Sequence, residues 1–490
     1  MKTTTKSTTI KRSIIITIAM LCMFASRLIP PPAGLTADAV QIFGILIGSI
    51  LLWMTISIDW PSFLTMLAIG LMPIFGFSTM FKDSFGNSTF AFLIFTFMLT
   101  YPLSQTDFVR RCTIAFITNP IALKGPWWFM SLLFTAVTLM GCFISPSVLF
   151  VAFLPFLEDI YRVLKLEKGS KVAEIMMLGV AFCTSISSGM TPIGHVWPTL
   201  AIGFYKSTTG LEINQFQYMA MAVPTGIICI AIMMLVFRFI FKPNDVSFID
   251  PREALNLKGS LPKADRREII TLLAMGITIF LWVAPSLLQN VFPAFFTLVN
   301  GWTTAMPPLI GCLILSIATV DGKQIMNFKD ATSKGVLWSS PIMCAAALVL
   351  GSCLTNGEVG LVEWLSGTLG SFTVTLSVTA LVAFFVAWTL IQTNFASNIV
   401  TTTVVCSIAI PLLYSMPADS VSVAAMASII GMAAAFAFMT PPGMTSVNGV
   451  AAASGWTNAK NMFIWGGILV FLSFFVMTFF SYPIGSLIMG

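Results

Sequence analysis

Between the apolar arms of 127–165 the chain turns at Gly141-Cys142-Phe143-Ile144-Ser145-Pro146-Ser147. The next apolar run, 172–209, breaks at Ser185-Ile186-Ser187-Ser188-Gly189-Met190-Thr191-Pro192-Ile193-Gly194-His195. Both passages return in the second half. There the arms of 373–415 turn at Gln392-Thr393-Asn394-Phe395-Ala396-Ser397-Asn398-Ile399, ahead of Thr401, Thr402 and Thr403. The run 421–456 then breaks at Phe438-Met439-Thr440-Pro441-Pro442-Gly443-Met444-Thr445-Ser446-Val447-Asn448-Gly449. Pro146 has no amide donor and interrupts a helix, while Ser145 and Ser147 offer hydroxyls. A run as polar as 185–195 cannot face lipid, where every bare backbone group needs protein, water or a solute as partner. Ser, Thr, Gly and Pro also let membrane helices pack closely and kink. That accounts for any one of these residues but poorly for four interruptions at corresponding places. The pattern is the one expected of inverted-topology repeats, whose broken helices meet near the bilayer midplane and aim their ends at ions and solute.

Working outward, the apolar residues fall into blocks of roughly 17 to 25, each about enough to cross a ~30 Å hydrocarbon core as a helix. Of 490 residues, 57% are hydrophobic and only 9% charged, against roughly a quarter charged in a soluble domain. A transmembrane β-barrel needs alternating strands, whereas Ile45–Met54 and Leu93–Leu99 are apolar nearly throughout. The nine cysteines lie singly in apolar segments with no CxxC pair, and read as small core residues. Lys2, Lys6, Lys11 and Arg12 precede the first apolar run without a clean small-residue cleavage site, so that run reads as a retained helix.

The fold expected is an all-α polytopic membrane protein of about 11 transmembrane helices plus two re-entrant hairpins, in two inverted repeats. The spans fall at 13–30, 40–57, 60–76, 89–118, 172–209, 216–242, 268–288, 303–319, 336–356, 421–456 and 460–484, with hairpins at 127–165 and 373–415. By domain, 1–35 holds the N-terminal helix, 36–242 the first repeat, 243–267 a polar cytoplasmic linker and 268–490 the second repeat. With the N-terminus cytoplasmic, Lys2 to Arg12, Arg110, Arg111, Lys124, Arg162 to Lys171, the linker, Lys323 to Lys334 and Lys460 all fall inside. Only Arg27, Lys82 and Lys206 fall outside, as the positive-inside rule requires. The formal charge of +6 therefore marks topology and calls for no nucleic-acid partner.

No Arg or Lys lies in the four interruptions. An anion there would be held by amides, hydroxyls and helix N-termini, with a bound cation supplying positive charge. Freed carbonyls with Ser, Thr and Asn oxygens are the ligand type that suits Na+. His195, the one histidine, could exchange protons near neutral pH or simply hydrogen-bond a carbonyl. Asp59 is placed to cap a helix starting near Pro61. One histidine and no carboxylate cluster argue against an enzyme, and the lack of a GxxxxGK[ST] loop argues against an ATP-driven pump.

These residues resemble the divalent-anion/sodium symporter family, carriers of dicarboxylates, citrate and sulfate in the ion transporter superfamily, over nearly the whole chain. Leu52-Trp53-Met54-Thr55-Ile56-Ser57-Ile58-Asp59 is similar to its LWMTEPIP-like segment, and Leu103-Ser104-Gln105-Thr106-Asp107-Phe108-Val109-Arg110-Arg111 to its hydrophobic-to-basic arm. The family's Ser-Asn-Thr triplets at the hairpin tips align with Ser145-Pro146-Ser147 and Ser397-Asn398-Ile399, where Ser145, Ser397 and Asn398 match. Of its SIGG..TPIGTPPN and LPxxTPPN breaks, Thr191, Pro192, Gly194 and Pro441 survive and the TPPN ends do not. The resemblance implies an anion at Ser145, Ser147, Thr191, Pro192, Ser397, Asn398, Thr401, Thr440 and Pro441. It implies a coupling ion at Ser145, Ser187, Ser188, Gly189, Asn394, Ser397, Asn398 and Gly443, and His195 is the candidate proton site.

The function expected is secondary symport of small anions, most of all di- or tricarboxylates, by an elevator-type movement coupled to Na+ or H+. No other cofactor or metal is expected, and the chain would work as a homodimer in the lipid bilayer of a bacterial inner membrane, the short termini being unlike eukaryotic ones. The alternatives are proton-coupled or exchange transport of another anion, a channel, or a non-transporting sensor on the same fold.

Overall fold

Several helices here start at a residue whose side chain caps the first amides. In the computed structural model, which describes residues 2–490 apart from 194, 247–249, 261–262, 289–290, 301, 365–366, 368–376, 418–419 and 442, α1 (Lys2–Ala25) packs against α2 (Ala37–Thr55). Thr36 accepts from the Ala39 amide at the head of α2. Asp59 accepts from the Trp60 amide at 2.8 Å, ahead of Pro61 in α3 (Trp60–Gly70), which is the capping role expected of it. The Ser57 hydroxyl and that amide hold the Asp59 carboxyl below the usual carboxylate range. α4 (Gly76–Asp83), α5 (Ser88–Ser104) and α6 (Phe108–Ile117) follow.

The first hairpin is α7 (Pro126–Gly141) and α8 (Pro146–Val163), and the first broken span is α9 (Lys171–Met190) and α10 (Val196–Thr209). α11 (Gln215–Val236) opens on an Asn214–Gln217 capping box. Beyond the linker come α12 (Arg266–Leu288), α13 (Pro293–Asn300), α14 (Met306–Ile317) and α15 (Ser339–Leu354). The second hairpin is α16 (Val378–Phe395) and α17 (Asn398–Tyr414). α18 (Val423–Ala433) opens the second broken span, and α19 (Ala459–Met489) ends the chain. The start of that hairpin, 373–376, together with Gly194 and Pro442, lies outside the described residues.

Among the described residues six helices are long and apolar enough to cross a membrane, or seven if Phe328–Gly335 and α15, bent by 74°, form one span. This is fewer than the eleven expected, because α3, α5, α7, α14, α17 and α18 are apolar but only 10–17 residues long. Among the described residues sheet is confined to a two-stranded turn, Thr319–Val320 with Lys323–Gln324. Apolar side chains such as Ile47, Leu273, Phe280 and Phe471 stand more than half exposed, while Ser187, Thr402 and Asn394 are fully buried. That inverted distribution suits lipid outside and a polar centre. Burial separates roles as well: α9 is 94% buried and runs through the middle, whereas α19 is 33% buried and lies at the edge.

Three expected spans need correction. The run 89–118 is two helices, because Thr106 donates its hydroxyl to Leu103 O and accepts the Phe108 amide, bonds that compete with the helix. The run 60–76 stops at Gly70, where the Phe77 ring occupies the space a Cβ would take, and Gly76 turns the chain at φ +67. In 421–456 helix stops at Ala433, and the second arm is only a π-turn (Thr445–Gly449) with Val450–Ala453. The two broken spans are therefore unequal. The linker is also packed: Pro251–Ser260 lies against α6 and α8, Ala254 is fully buried, and Glu253 pairs with Lys165 at 2.8 Å.

The hairpins and broken spans cross between the halves. α10 packs on both α17 and α18, and α9 on α7, α8 and α18. Whatever lies at the hairpin tips is thus shared by both halves of the chain.

Candidate anion site

A cavity of about 330 Å³ opens where three helices begin. Ser145, Pro146 and Ser147 lead α8 into its wall, Val196 and Trp197 lead α10, and Ser397, Asn398 and Ile399 lead α17. Ser145, His195 and Ser397 are the N-cap residues, and none of their side chains caps its helix. Elsewhere Thr36, Asn87, Ser170, Asn214, Ser377, Ser422 and Asn458 do cap theirs. Each helix N-terminus carries roughly half a positive charge on its unpaired amides, so three such ends meet here with their caps withheld.

The first tip is held by its neighbours. Thr191 donates its hydroxyl to Cys142 O, and His195 Nε2 lies 2.9 Å from Gly141 O. The carbonyl requires the hydrogen on Nε2, which leaves the buried Nδ1 without a partner. Gly141 admits no side chain, since a Cβ would stand 2.0 Å from Ser187 Oγ. Ser147 Oγ donates to Ser446 Oγ at 2.7 Å, joining the first tip to the second broken span.

The second tip is held by Asn394. Its Nδ2 donates to Leu390 O (2.7 Å) and Phe436 O (3.0 Å), and its Oδ1 accepts the amides of Phe438 (2.8 Å) and Met439 (2.7 Å). Thr440 donates to Asn394 O, Thr393 to Ala434 O, and Asn448 Nδ2 to Ala437 O and Thr440 O. This lattice explains why 434–438 runs without helix although it is buried: side chains supply the partners its backbone would otherwise lack.

Of the residues expected at the site, Ser145, Ser147, Ser397, Asn398 and Gly443 line the cavity. Thr191, Pro192, Thr440 and Pro441 are not among the residues lining it, and the Thr191 and Thr440 hydroxyls donate to Cys142 O and Asn394 O. Thr401 is fully buried one turn into α17 with its hydroxyl unpartnered. Among the expected ion ligands, Ser187 and Ser188 donate to Thr184 O and Ser185 O within their own helix. Gly189 O accepts from Tyr218 OH at 2.7 Å, and its Cα faces Met432 O so closely that a Cβ would lie 2.9 Å away. The Asn394 side chain has all four of its hydrogen-bonding positions taken by backbone groups.

Trp197 was not expected. Its ring stacks on His195, centroids 5.9 Å apart, and its Nε1 is buried without a partner while the residue lines the cavity. Asn398 Nδ2 shares that condition. A buried bare donor costs about 1–3 kcal/mol, and here two of them, one from each half of the chain, border one cavity. No charged side chain lines it among the described residues. The arrangement offers donors to an acceptor-rich solute.

The model of the sodium:sulfate symporter transmembrane region matches residues 7–489. The chain belongs to that family. It is an integral membrane protein of this symporter family, similar at 24% identity over 333 residues to the sodium-dependent dicarboxylate transporter SdcS of Staphylococcus saprophyticus, a match covering 65% of this chain and 61% of the relative. An uncharacterized transporter of Methanocaldococcus jannaschii is 24% identical over 315 residues, covering 64% of this chain and 65% of that one. The SdcS of Staphylococcus aureus USA300 is 22% identical over 322 residues, covering 65% and 60%. The chain thus spans 60–65% of the length of these relatives. In fold it is similar to the crystal structure of the Alcanivorax borkumensis YdaH transporter, with a TM-score of 0.54 at 12% identity, covering 92% of this chain and 98% of that one.

Proposed function

We propose that this family member is a sodium-coupled symporter of a small divalent oxyanion, a dicarboxylate foremost, bound where α8, α10 and α17 begin. The observation that carries this reading is the pairing of three uncapped helix N-termini with the bare donors Asn398 Nδ2 and Trp197 Nε1. Only an acceptor satisfies all of them, and helix ends favour one that is negative. Similarity to the sodium-dependent dicarboxylate transporter SdcS supports both the dicarboxylate and Na+. The cation is cargo, carried with the anion. Thr401 Oγ1 and Asn448 Oδ1 are buried oxygens without partners, neutral ligands of the kind Na+ accepts.

Removing the indole donor while keeping the ring tests the site. Trp197→Phe is expected to raise the half-saturation concentration for labelled succinate about tenfold, since a hydrogen bond to a charged group is worth roughly 1.5–3 kcal/mol. An unchanged value would exclude Trp197 from the site. A second reading, proton coupling, rests on the bare Nδ1 of His195 beside the hairpin neck. His195→Gln separates the two: sodium coupling survives it, whereas proton coupling through this ring does not.

In this reading the hairpins and broken spans, packed on one another across the halves, move as one body against the remaining spans in an elevator stroke. The two halves act as inverted repeats. The chain works as a homodimer in a bacterial inner membrane with its N-terminus cytoplasmic.

A further inference from the structure

Phe97, Ser145 and Leu337 wall the anion cavity and also a second cavity of about 340 Å³ beside it. The far side of this second cavity is the last turn of α5, with Tyr101 and Ser104, then Gln105 and Lys334. Lys334 is the one charged side chain lining either cavity among the described residues. It sits on the π-turn Ala331–Gly335, at the elbow where the chain bends by 74° into α15. Gly335 sets that elbow, because its backbone rests on α5 so closely that a Cβ would stand 2.8 Å from Tyr101 Cβ. The lysine is therefore held beside the cavity by backbone packing.

Its present partner is Asp330, one helical turn back, at 2.8 Å with side chains 65% and 46% exposed. An exposed i,i+4 pair contributes only about 0.3–0.5 kcal/mol, so another carboxylate can take its place. Inside the first cavity an arriving dianion meets only dipoles and neutral donors. A cation at the mouth raises the local concentration of anions on that side.

We propose that the second cavity is an anion-staging site, in which Lys334 exchanges the Asp330 carboxylate for one acidic group of the transported anion next to Ser145. This rests on the proposed function of the first cavity. By the charge distribution Lys334 lies on the cytoplasmic side, so staging is the last step of release inward and the first of capture outward.

The two partners of the ion pair give opposite expectations. Lys334→Gln removes the staging charge, whereas Asp330→Asn removes its competitor. In full-length protein reconstituted in one orientation, initial rates of labelled succinate transport are measured from each face at varied KCl. From the Lys334 face, Lys334→Gln is expected to raise the half-saturation concentration about fivefold and flatten its salt dependence. Asp330→Asn is expected to lower it about twofold. From the other face both variants should match the wild type. A merely structural pair would move both variants the same way, since each breaks it; that result, or unchanged values in both, overturns the staging site while leaving the first cavity standing. Failure of the wild type to carry succinate, citrate or sulfate overturns both together.

Discussion

Asn398→Ala is expected to weaken coupled uptake strongly, with kcat/KM falling about 10- to 100-fold, and to leave the protein as stable as before. The two halves of this expectation have one cause. Asn398 is 4% exposed and its Nδ2 makes no bond to protein, yet it borders the cavity in the first turn of α17. A donor that is idle in the empty protein contributes nothing to folding and carries a desolvation cost, so its removal should leave the melting temperature unchanged or slightly higher. Once an anion is bound, the same donor makes a charge-assisted bond of about 1.5–3 kcal/mol. Melting curves in detergent beside uptake in liposomes check both at once. A stability loss matching the transport loss would mean that Asn398 is a structural residue.

Asn394→Ala is expected to behave in the opposite way. Four buried bonds converge on that side chain, two donated to Leu390 O and Phe436 O and two accepted from the Phe438 and Met439 amides. Truncation strips the partner from Phe436 O and from the Phe438 and Met439 amides, in a segment that has no helix to fall back on, while Leu390 O stays within α16. At about 1 kcal/mol or more for each of these orphaned groups, the loss is roughly 3 kcal/mol or more. The melting temperature should fall sharply and little folded protein should be recovered. Asn394→Asp keeps the two acceptor bonds and replaces the two donors with a charge facing carbonyls, so it should rescue nothing. A stable Asn394→Ala protein with altered Na+ dependence would return this residue to the ion site.

Asn394 and Asn398 show what was legible in the sequence and what was not. Both stand in the densest polar run of an apolar hairpin, and that run marks the tip correctly because lipid tolerates no such group. Within the run 127–165 the chain forms two helices, Pro126–Gly141 and Pro146–Val163, with Pro146 starting the second. Whether a buried polar side chain serves a ligand or the chain's own backbone is decided by its geometry, which spacing does not carry. Thr191, Thr440 and Asn394 read as ligands from their place in the sequence, and their side chains hydrogen-bond the chain's own backbone. Trp197 was missed because an aromatic residue after a membrane break reads as packing. Only its indole nitrogen, bare and buried, separates it from the other tryptophans. The overlong spans 60–76 and 89–118 fail similarly, since apolar continuity hid a turn made at Gly76 and by Thr106.

The most direct measurement is uptake of labelled succinate into liposomes holding the purified protein, with an inward Na+ gradient, an inward proton gradient or neither. Sodium-coupled symport through the Asn398 site predicts accumulation under the Na+ gradient alone, competed by other dicarboxylates and reduced at least about tenfold in Asn398→Ala. Uptake indifferent to Na+, or uptake undiminished in Asn398→Ala, would contradict it.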